Sequence, residues 1–136
     1  MAAMDAKRFG VFAYSTFAEV QDFRVERYLP PVATNITVDK YAQGFRAKFT
    51  ITQTELDAFM DDLWDKHGDQ STVARGERPA RDSIDADFHS HVYGDLGWDH
   101  LANATEVFSP TARNGAGFSI WFSAEKNIAY QHAGYW

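Results

Sequence analysis

Apolar and polar residues alternate along two short runs between positions 36 and 51. In the first run Thr37 separates Ile36 from Val38, and the pair at 43–44 (Gln-Gly) between the runs is typical of a turn. The apolar positions of the second run are Phe45, Ala47, Phe49 and Ile51. Because a period of two puts alternate side chains on one face of a strand, the pattern predicts an antiparallel hairpin with one buried face.

The period becomes that of a helix immediately after Ile51. Thr52 and Glu55 have the spacing of a capping box, and Ile51 and Leu56 are placed to pack against each other across the helix start. The apolar residues at helical spacing are Leu56, Phe59, Met60, Leu63 and Trp64. The pattern predicts an amphipathic helix that ends at Gly68.

The C-terminal region again alternates with a period of two. Two runs, 118–123 and 128–133, flank a turn and predict a second hairpin, with a shorter strand near 106–108 before it. In the last run His132 is in phase with Ile128 and Tyr130, so we expect it to point inward. At the other end of the chain, Thr16 and Glu19 suggest a second capping box and predict a helix over 17–27.

These elements predict an α+β fold, a two-layer sandwich. One layer is an antiparallel sheet of four to five strands, and the other is one or two helices packed on one face of that sheet. At 136 residues the chain is expected to be a single domain, residues 1–136. The segment 68–104 follows neither period for long and is expected to be irregular, and either functional or mobile. Trp121 and Tyr135 are expected on the outer face of the sheet.

The net charge of the chain limits the kinds of molecule that it is expected to bind. Acidic residues outnumber basic ones 19 to 13, giving a net charge of −6, which disfavours both nucleic acid and an anionic membrane surface. The chain has no cysteine, so thiol catalysis, disulfides and thiolate metal sites are excluded. No apolar run reaches about 18 residues. We expect a soluble, cytoplasmic protein, and a removed signal peptide remains the alternative.

One stretch, DFHSHVYGDLGWDH at 87–100, has the composition of a metal site. His89 and His91 would project from the same face of a strand, and His100 and Asp87 are near enough in sequence to complete a zinc shell. No His-Glu-x-x-His helix accompanies them. A solvated loop that binds no cofactor is the reading we favour, with zinc as the alternative.

Other residues could contact a ligand directly. Arginine forks bind carboxylate and phosphate groups, although exposed arginines more often only balance neighbouring acids. The chain is also rich in aromatic rings, 21 among its 136 residues, which suggests that some of them line a pocket or a partner surface. The candidates for ligand binding are Arg75, Arg78, Arg81, Trp98, Trp121, Tyr130 and His132.

The segments LPPVATNITV, GFRAKFTITQTELDAFM and FSIWFSAEKNIAYQHAGYW resemble a pattern found in uncharacterised small bacterial proteins. In these a Pro-x-x-Ala-x-x-Ile start, here Pro30 to Ile36, leads into an aromatic strand, a capped acidic helix and a terminal hairpin. The chain is also similar to proteins carried on mobile gene cassettes of the integron type. The resemblance covers 29–60 and 118–136, and it implies no activity or functional residues.

Two functions remain open. The first is a non-enzymatic protein that binds a small molecule or another protein through an aromatic-lined pocket or a sheet face, with a homodimer as one form of it. The second is a small metal-assisted hydrolase built on His89 and His91. The sequence lacks a Gly-x-Ser-x-Gly elbow and a phosphate loop, which favours the first.

Overall fold

A computed structural model describes residues 10–41, 44–72, 74–75, 96–98, 104–110 and 117–134. Two short 3-10 turns, Phe17–Glu19 and Gly68–Gln70, follow β1 and α2 respectively. The strands and helices are β1 (Gly10–Thr16), α1 (Phe23–Glu26), β2 (Thr34–Tyr41), β3 (Gly44–Thr50), α2 (Gln53–His67), β4 (Thr105–Phe108), β5 (Gly117–Ser123) and β6 (Ile128–Gly134). The fold is α+β.

The strands form one antiparallel sheet in the order β1-β2-β3-β6-β5-β4. The first three strands form one meander and the last three form another. Seven residue pairs, from Gly44–Gly134 to Thr50–Ile128, join β3 to β6 and so join the two meanders. The centre of the sheet therefore consists of strands from distant parts of the chain.

Gly44 begins β3 where the two meanders come closest. A Cβ atom at this position would collide with the backbone carbonyl oxygen of Ala133 on β6. Because this neighbour is backbone and lies within a strand, it cannot move aside as the end of a flexible side chain would. Glycine is therefore required here for close approach of β3 and β6.

One face of the sheet, which we call the inner face, is covered by two segments. Residues 17–33, with the turn and α1, contribute Val20, Val25 and Leu29 to the buried core, and α2 contributes Leu56 and Met60. The strand residues of this core are Ile36, Val38, Phe45, Ala47, Phe49, Phe118, Ile120, Phe122, Ala129 and Ala133. The predicted buried faces of β2, β3 and β5 are thus confirmed.

A charged contact fastens the 17–33 segment to the sheet. Lys40 of β2 is buried; its Nζ lies 3.1 Å from Asp22 and donates to the Tyr14 hydroxyl at 2.9 Å. The same ammonium lies 4.6 Å from the ring centroid of Phe12. Burial alone would lower the pKa of Lys40, but its hydrogen bonds to Tyr14 and Asp22 outweigh burial and raise that pKa. Lys40 therefore stays charged and holds the cover in place.

Helix α2 begins as the sequence predicts. The Thr52 side chain accepts a hydrogen bond from the Glu55 backbone N–H at 3.2 Å, and the Glu55 carboxylate accepts one from the Thr52 backbone N–H at 3.1 Å. The helix ends at His67, and Gly68 keeps a right-handed backbone as the chain enters a 3-10 turn. The capping box is confirmed, whereas Gly68 does not adopt the left-handed form common at helix ends.

The N-terminal region differs from the sequence-based prediction. The chain pairs with β2 over Gly10–Thr16 instead of remaining outside the sheet, so the described sheet has six strands and not four or five. The helix predicted over 17–27 is interrupted at Gln21, whose φ of 47° is left-handed. Thr16 makes no capping bond to the backbone; its hydroxyl reaches only the Glu19 carboxylate, at 3.4 Å.

The phase of β6 is also different from our prediction. Ala129, Gln131 and Ala133 face the inner side, whereas Tyr130 and His132 project from the opposite, outer face. The physical reason is the size of the side chains on the two neighbouring strands, since β3 and β5 both place phenylalanines on the inner face. Small residues on β6 allow these rings to fit beside one another.

We expect Thr52→Ala to lower the free energy of unfolding by about 1 kcal/mol, because it removes the side-chain acceptor of the helix cap. Urea denaturation measures this. Thr54→Ala is the matched control, since Thr54 is exposed in the first turn of the same helix and should tolerate alanine. Equal effects of the two substitutions would show that the cap contributes nothing.

We expect Gly44→Ala to lower the free energy of unfolding by about 1–3 kcal/mol, because the added methyl group forces β3 away from β6. Hydrogen exchange of the β6 amides should accelerate more than exchange of the α2 amides. An unchanged denaturation midpoint with unchanged β6 exchange would contradict the close approach that we describe.

Candidate functional site

The inner face of β6 carries small buried side chains between bulkier residues of the neighbouring strands, and we call this stripe the trough. Its floor consists of Ala129, Gln131 and Ala133, and Ala47 of β3 lies directly opposite Gln131. The walls are larger residues on the neighbouring strands, Phe45 and Phe49 of β3 and Phe118, Ile120 and Phe122 of β5. The trough is thus apolar apart from one carboxamide at its centre.

Gln131 is fully buried, and only half of its carboxamide is satisfied. Its Nε2 donates a hydrogen bond to the backbone carbonyl of Tyr28 at 2.9 Å, which fixes the orientation of the group. Its Oε1 has no hydrogen-bond partner within the part of the chain that the structure describes. An unsatisfied buried acceptor costs about 1–3 kcal/mol, so its presence in an apolar core requires an explanation.

Aromatic rings line the seam where the two covering segments meet above the trough. Tyr28 of the 17–33 segment lies 5.6 Å from Phe118, and Phe59 of α2 lies 6.1 Å from the same ring, both measured between centroids. Phe118 is buried, whereas Tyr28 and Phe59 are half-buried. The seam is therefore the point at which the trough comes nearest to solvent.

The outer face carries a second apolar cluster. Trp121 of β5 and Tyr130 of β6 are directly paired and buried, at 3% and 1% exposure, and pack with Ala104. The half-buried Trp98 lies 5.4 Å from the Tyr130 ring, and Ile128 also contacts the cluster. Three of the predicted ligand residues thus lie together, packed against one another.

A polar cluster lies beside these rings on the same face. Strand register aligns Asp39, Arg46 and His132 on β2, β3 and β6. Both Nε and Nη2 of Arg46 donate to Asp39 Oδ2, at 3.1 and 2.6 Å. His132 Nε2 and the Tyr41 hydroxyl are hydrogen-bonded at 3.1 Å. His132 is exposed, so our expectation that it points inward was wrong.

Desolvation and the charges of Arg46 and Asp39 shift the pKa values of two groups in this cluster. Desolvation against the sheet, and then the nearby guanidinium of Arg46, lower the pKa of His132. Desolvation raises the pKa of Tyr41, and Asp39 adds to this rise while Arg46 opposes it. Near neutral pH the imidazole is therefore uncharged and the phenol is protonated.

Of the other predicted site residues, the structure describes Arg75 alone. Arg75 is exposed and pairs with Asp61 of α2 at 2.8 Å, which agrees with an ordinary surface contact. Outside the described residues lie Arg78, Arg81, Asp87, His89, His91, His100 and Tyr135. Within the described ranges no three His, Asp or Glu side chains are grouped as metal ligands. The zinc hypothesis therefore stays a prediction.

Our reading of the sequence missed the residue that gives the trough its polarity. The signal was present as Ala-x-Gln-x-Ala over 129–133, a polar residue between two small ones in an alternating strand. The pairing of Asp39 with Arg46 was missed as well. Opposite charges on facing hairpin strands are a recognisable signal for such a pair once the register is known.

Comparisons of the chain with protein families, with curated proteins and with solved structures found no match. The resemblance to small gene-cassette proteins therefore remains a prediction. No helix among the described residues is long and apolar enough to cross a membrane.

We expect the stability lost between about pH 7 and about pH 5 to be smaller in His132→Gln than in the unmodified protein. Because the folded state lowers the pKa of His132, the unfolded chain binds a proton more readily than the folded one. The folded state therefore loses stability as the pH falls through and below 6.5, the ordinary pKa of histidine. Urea denaturation at the two pH values measures the difference.

Tyr41→Phe is the control for this experiment. It retains both the imidazole and the neighbouring Arg46, so the pH dependence should persist. If His132→Gln leaves the pH dependence unchanged, the folded state does not lower the pKa of this histidine.

Proposed function

We propose that the chain is a non-enzymatic binding protein that accepts a small, largely apolar aromatic molecule in the trough along β6. The observation that carries this proposal is the unpartnered Oε1 of the buried Gln131. A ligand that donates one hydrogen bond would satisfy this oxygen. The free energy that the unfilled acceptor costs in the free protein would then become part of the affinity.

The composition of the trough favours a ligand of this class. Binding pockets for small molecules are mostly apolar and aromatic, with a few polar groups that fix the orientation of the ligand. Here the apolar part is supplied by Phe118, Phe59 and Tyr28, and Gln131 supplies one acceptor. A ring bearing a hydroxyl or an N–H group matches both features.

The route of entry follows from the exposure of the covering side chains. Tyr28 and Phe59 are half-buried at the seam, and they belong to separate segments. Rotation of these two rings, or a small shift of the 17–33 segment, would open the seam without disturbing the sheet. Buried Lys40 and its contact with Asp22 would act as the fixed point of that segment.

The chemistry of the trough favours binding over catalysis. Apart from Tyr28, the described residues that form its floor, walls and seam carry no titratable side chain and no nucleophile. A carboxamide buried among aromatic rings can orient a ligand, but it is not a general acid or base.

We expect phenol to bind roughly five- to tenfold more tightly than toluene, because only phenol can donate to Gln131 Oε1. Gln131→Leu should remove that preference while it changes the free energy of unfolding by less than about 1 kcal/mol, because removal of the unsatisfied Oε1 offsets loss of the Nε2 bond to the Tyr28 carbonyl. Titration followed by NMR of the inner-face residues measures both affinities.

Tyr28→Phe serves as the matched control, because it removes a hydroxyl at the seam but keeps the backbone carbonyl that Gln131 contacts. The preference for phenol should survive in this variant. Equal binding of phenol and toluene to the unmodified protein, or shifts confined to residues away from the inner face, would refute the proposal.

A further inference from the structure

The outer face carries a positive patch on a protein that is negative overall. Arg46 and Lys48 project from alternate positions of β3, and Arg46 is paired directly with His132 of β6. Tyr41 reaches the same place through its hydrogen bond to His132. We call these four residues, Tyr41, Arg46, Lys48 and His132, the outer patch.

The acids nearby do not neutralise the patch. On the strands that flank β3, the acid facing outward is Asp39, and its Oδ2 is bound by Arg46. With one acid against two permanent cations, the described cluster has a net charge of about +1 near neutral pH. The chain as a whole has a net charge of −6. A local surplus of positive charge on an acidic protein attracts anions to that place.

Lys48 has no counter-ion among the residues that the structure describes. It contacts the Tyr130 ring, whose centroid is 6.0 Å from Nζ. The ammonium thus lies beside the outer aromatic cluster, and no described acid forms a salt bridge with it. Because Lys48 and His132 occupy diagonal positions on adjacent strands, one small ligand can reach both.

His132 provides a second group able to contact an anion. The imidazole is exposed and bonded through Nε2 to Tyr41. Desolvation, and then the field of Arg46, disfavour protonation of His132 in the free protein. An anion held next to the ring would offset that field and favour the imidazolium, which donates from both ring nitrogens.

We propose that the outer patch binds a small aromatic carboxylate, with the carboxylate between Lys48 and His132 and the ring toward the half-buried Trp98. The net charge of the patch matches a monoanion better than a phosphate dianion. Arg46 is already bound to Asp39, which further disfavours a phosphate site. The indole of Trp98, which contacts Tyr130, offers a planar neighbour for the ring.

The test is a calorimetric titration of the full chain with benzoate at low salt. Lys48→Gln and His132→Gln should each weaken binding roughly tenfold, because each removes a charge-assisted contact. Lys126→Gln is the charge-matched control, since Lys126 is exposed in the turn between β5 and β6, and it should leave the affinity unchanged. Acetate should bind more weakly than benzoate.

The pH dependence of binding provides a second measurement. The ionisable groups around His132 are Tyr41 on β2, Arg46 and Lys48 on β3, and Tyr130 on its own strand, with Asp39 beyond Arg46. Benzoate stays ionised from about pH 8 to about pH 6. Affinity should rise as pH falls across this range, with proton uptake on binding, and His132→Gln should abolish both effects.

Three results would overturn the proposal. The first is no heat of binding at millimolar benzoate, and the second is equal weakening by Lys126→Gln, which would mean unspecific attraction. The third is tighter binding of inorganic phosphate than of benzoate. Gln131→Leu separates the two faces of the sheet: it should leave benzoate binding intact, and loss of binding in that variant would place benzoate in the inner trough.

Discussion

The pairing of β3 with β6 is the constraint on which the rest of this structure depends. Each meander on its own is a three-stranded sheet with two edges, and one edge of each, β3 or β6, pairs with the other. The approach is close enough that a side chain at Gly44 would meet the backbone of β6. Both candidate sites use residues from this central pair, so neither exists before the meanders join.

The two faces of the central strands belong to different candidate sites, because successive side chains of a strand point to opposite faces of the sheet. On the inner side β6 offers small residues and Gln131, which leaves the trough between the phenylalanine-rich strands. On the outer side the same strand offers Tyr130 to the aromatic cluster and His132 to the polar one. Most of β6 is covered on both faces, and the strand contributes residues to both candidate sites.

The sequence predicted what local patterns determine. The β2–β3 hairpin, the capped helix α2 and the terminal hairpin follow from periods and caps within short windows. The edge strand β1 was missed because its pairing with β2 depends on contacts across the sheet. The inward side of β6 was assigned wrongly for a similar reason, since alternation gives a period but not a direction. Gln131 and the Asp39–Arg46 pair became visible only once strand register was known.

The order of the strands also has a consequence for how the chain folds during synthesis. The partner of Gly44 is Gly134, ninety residues further along the chain. Until β6 leaves the ribosome, the outer edge of β3 has no strand to pair with. One face of β3 carries Phe45 and Phe49, and an unpaired apolar edge of this kind promotes aggregation of nascent chains. Contacts between such distant residues also slow folding. In contrast, the length of the intervening chain has little influence, since each doubling of a loop costs only about 0.6 kcal/mol. This topology is therefore compatible with connections of different length between α2 and β4. A chain that terminated before β6 would instead leave β3 as an unpaired, aggregation-prone edge.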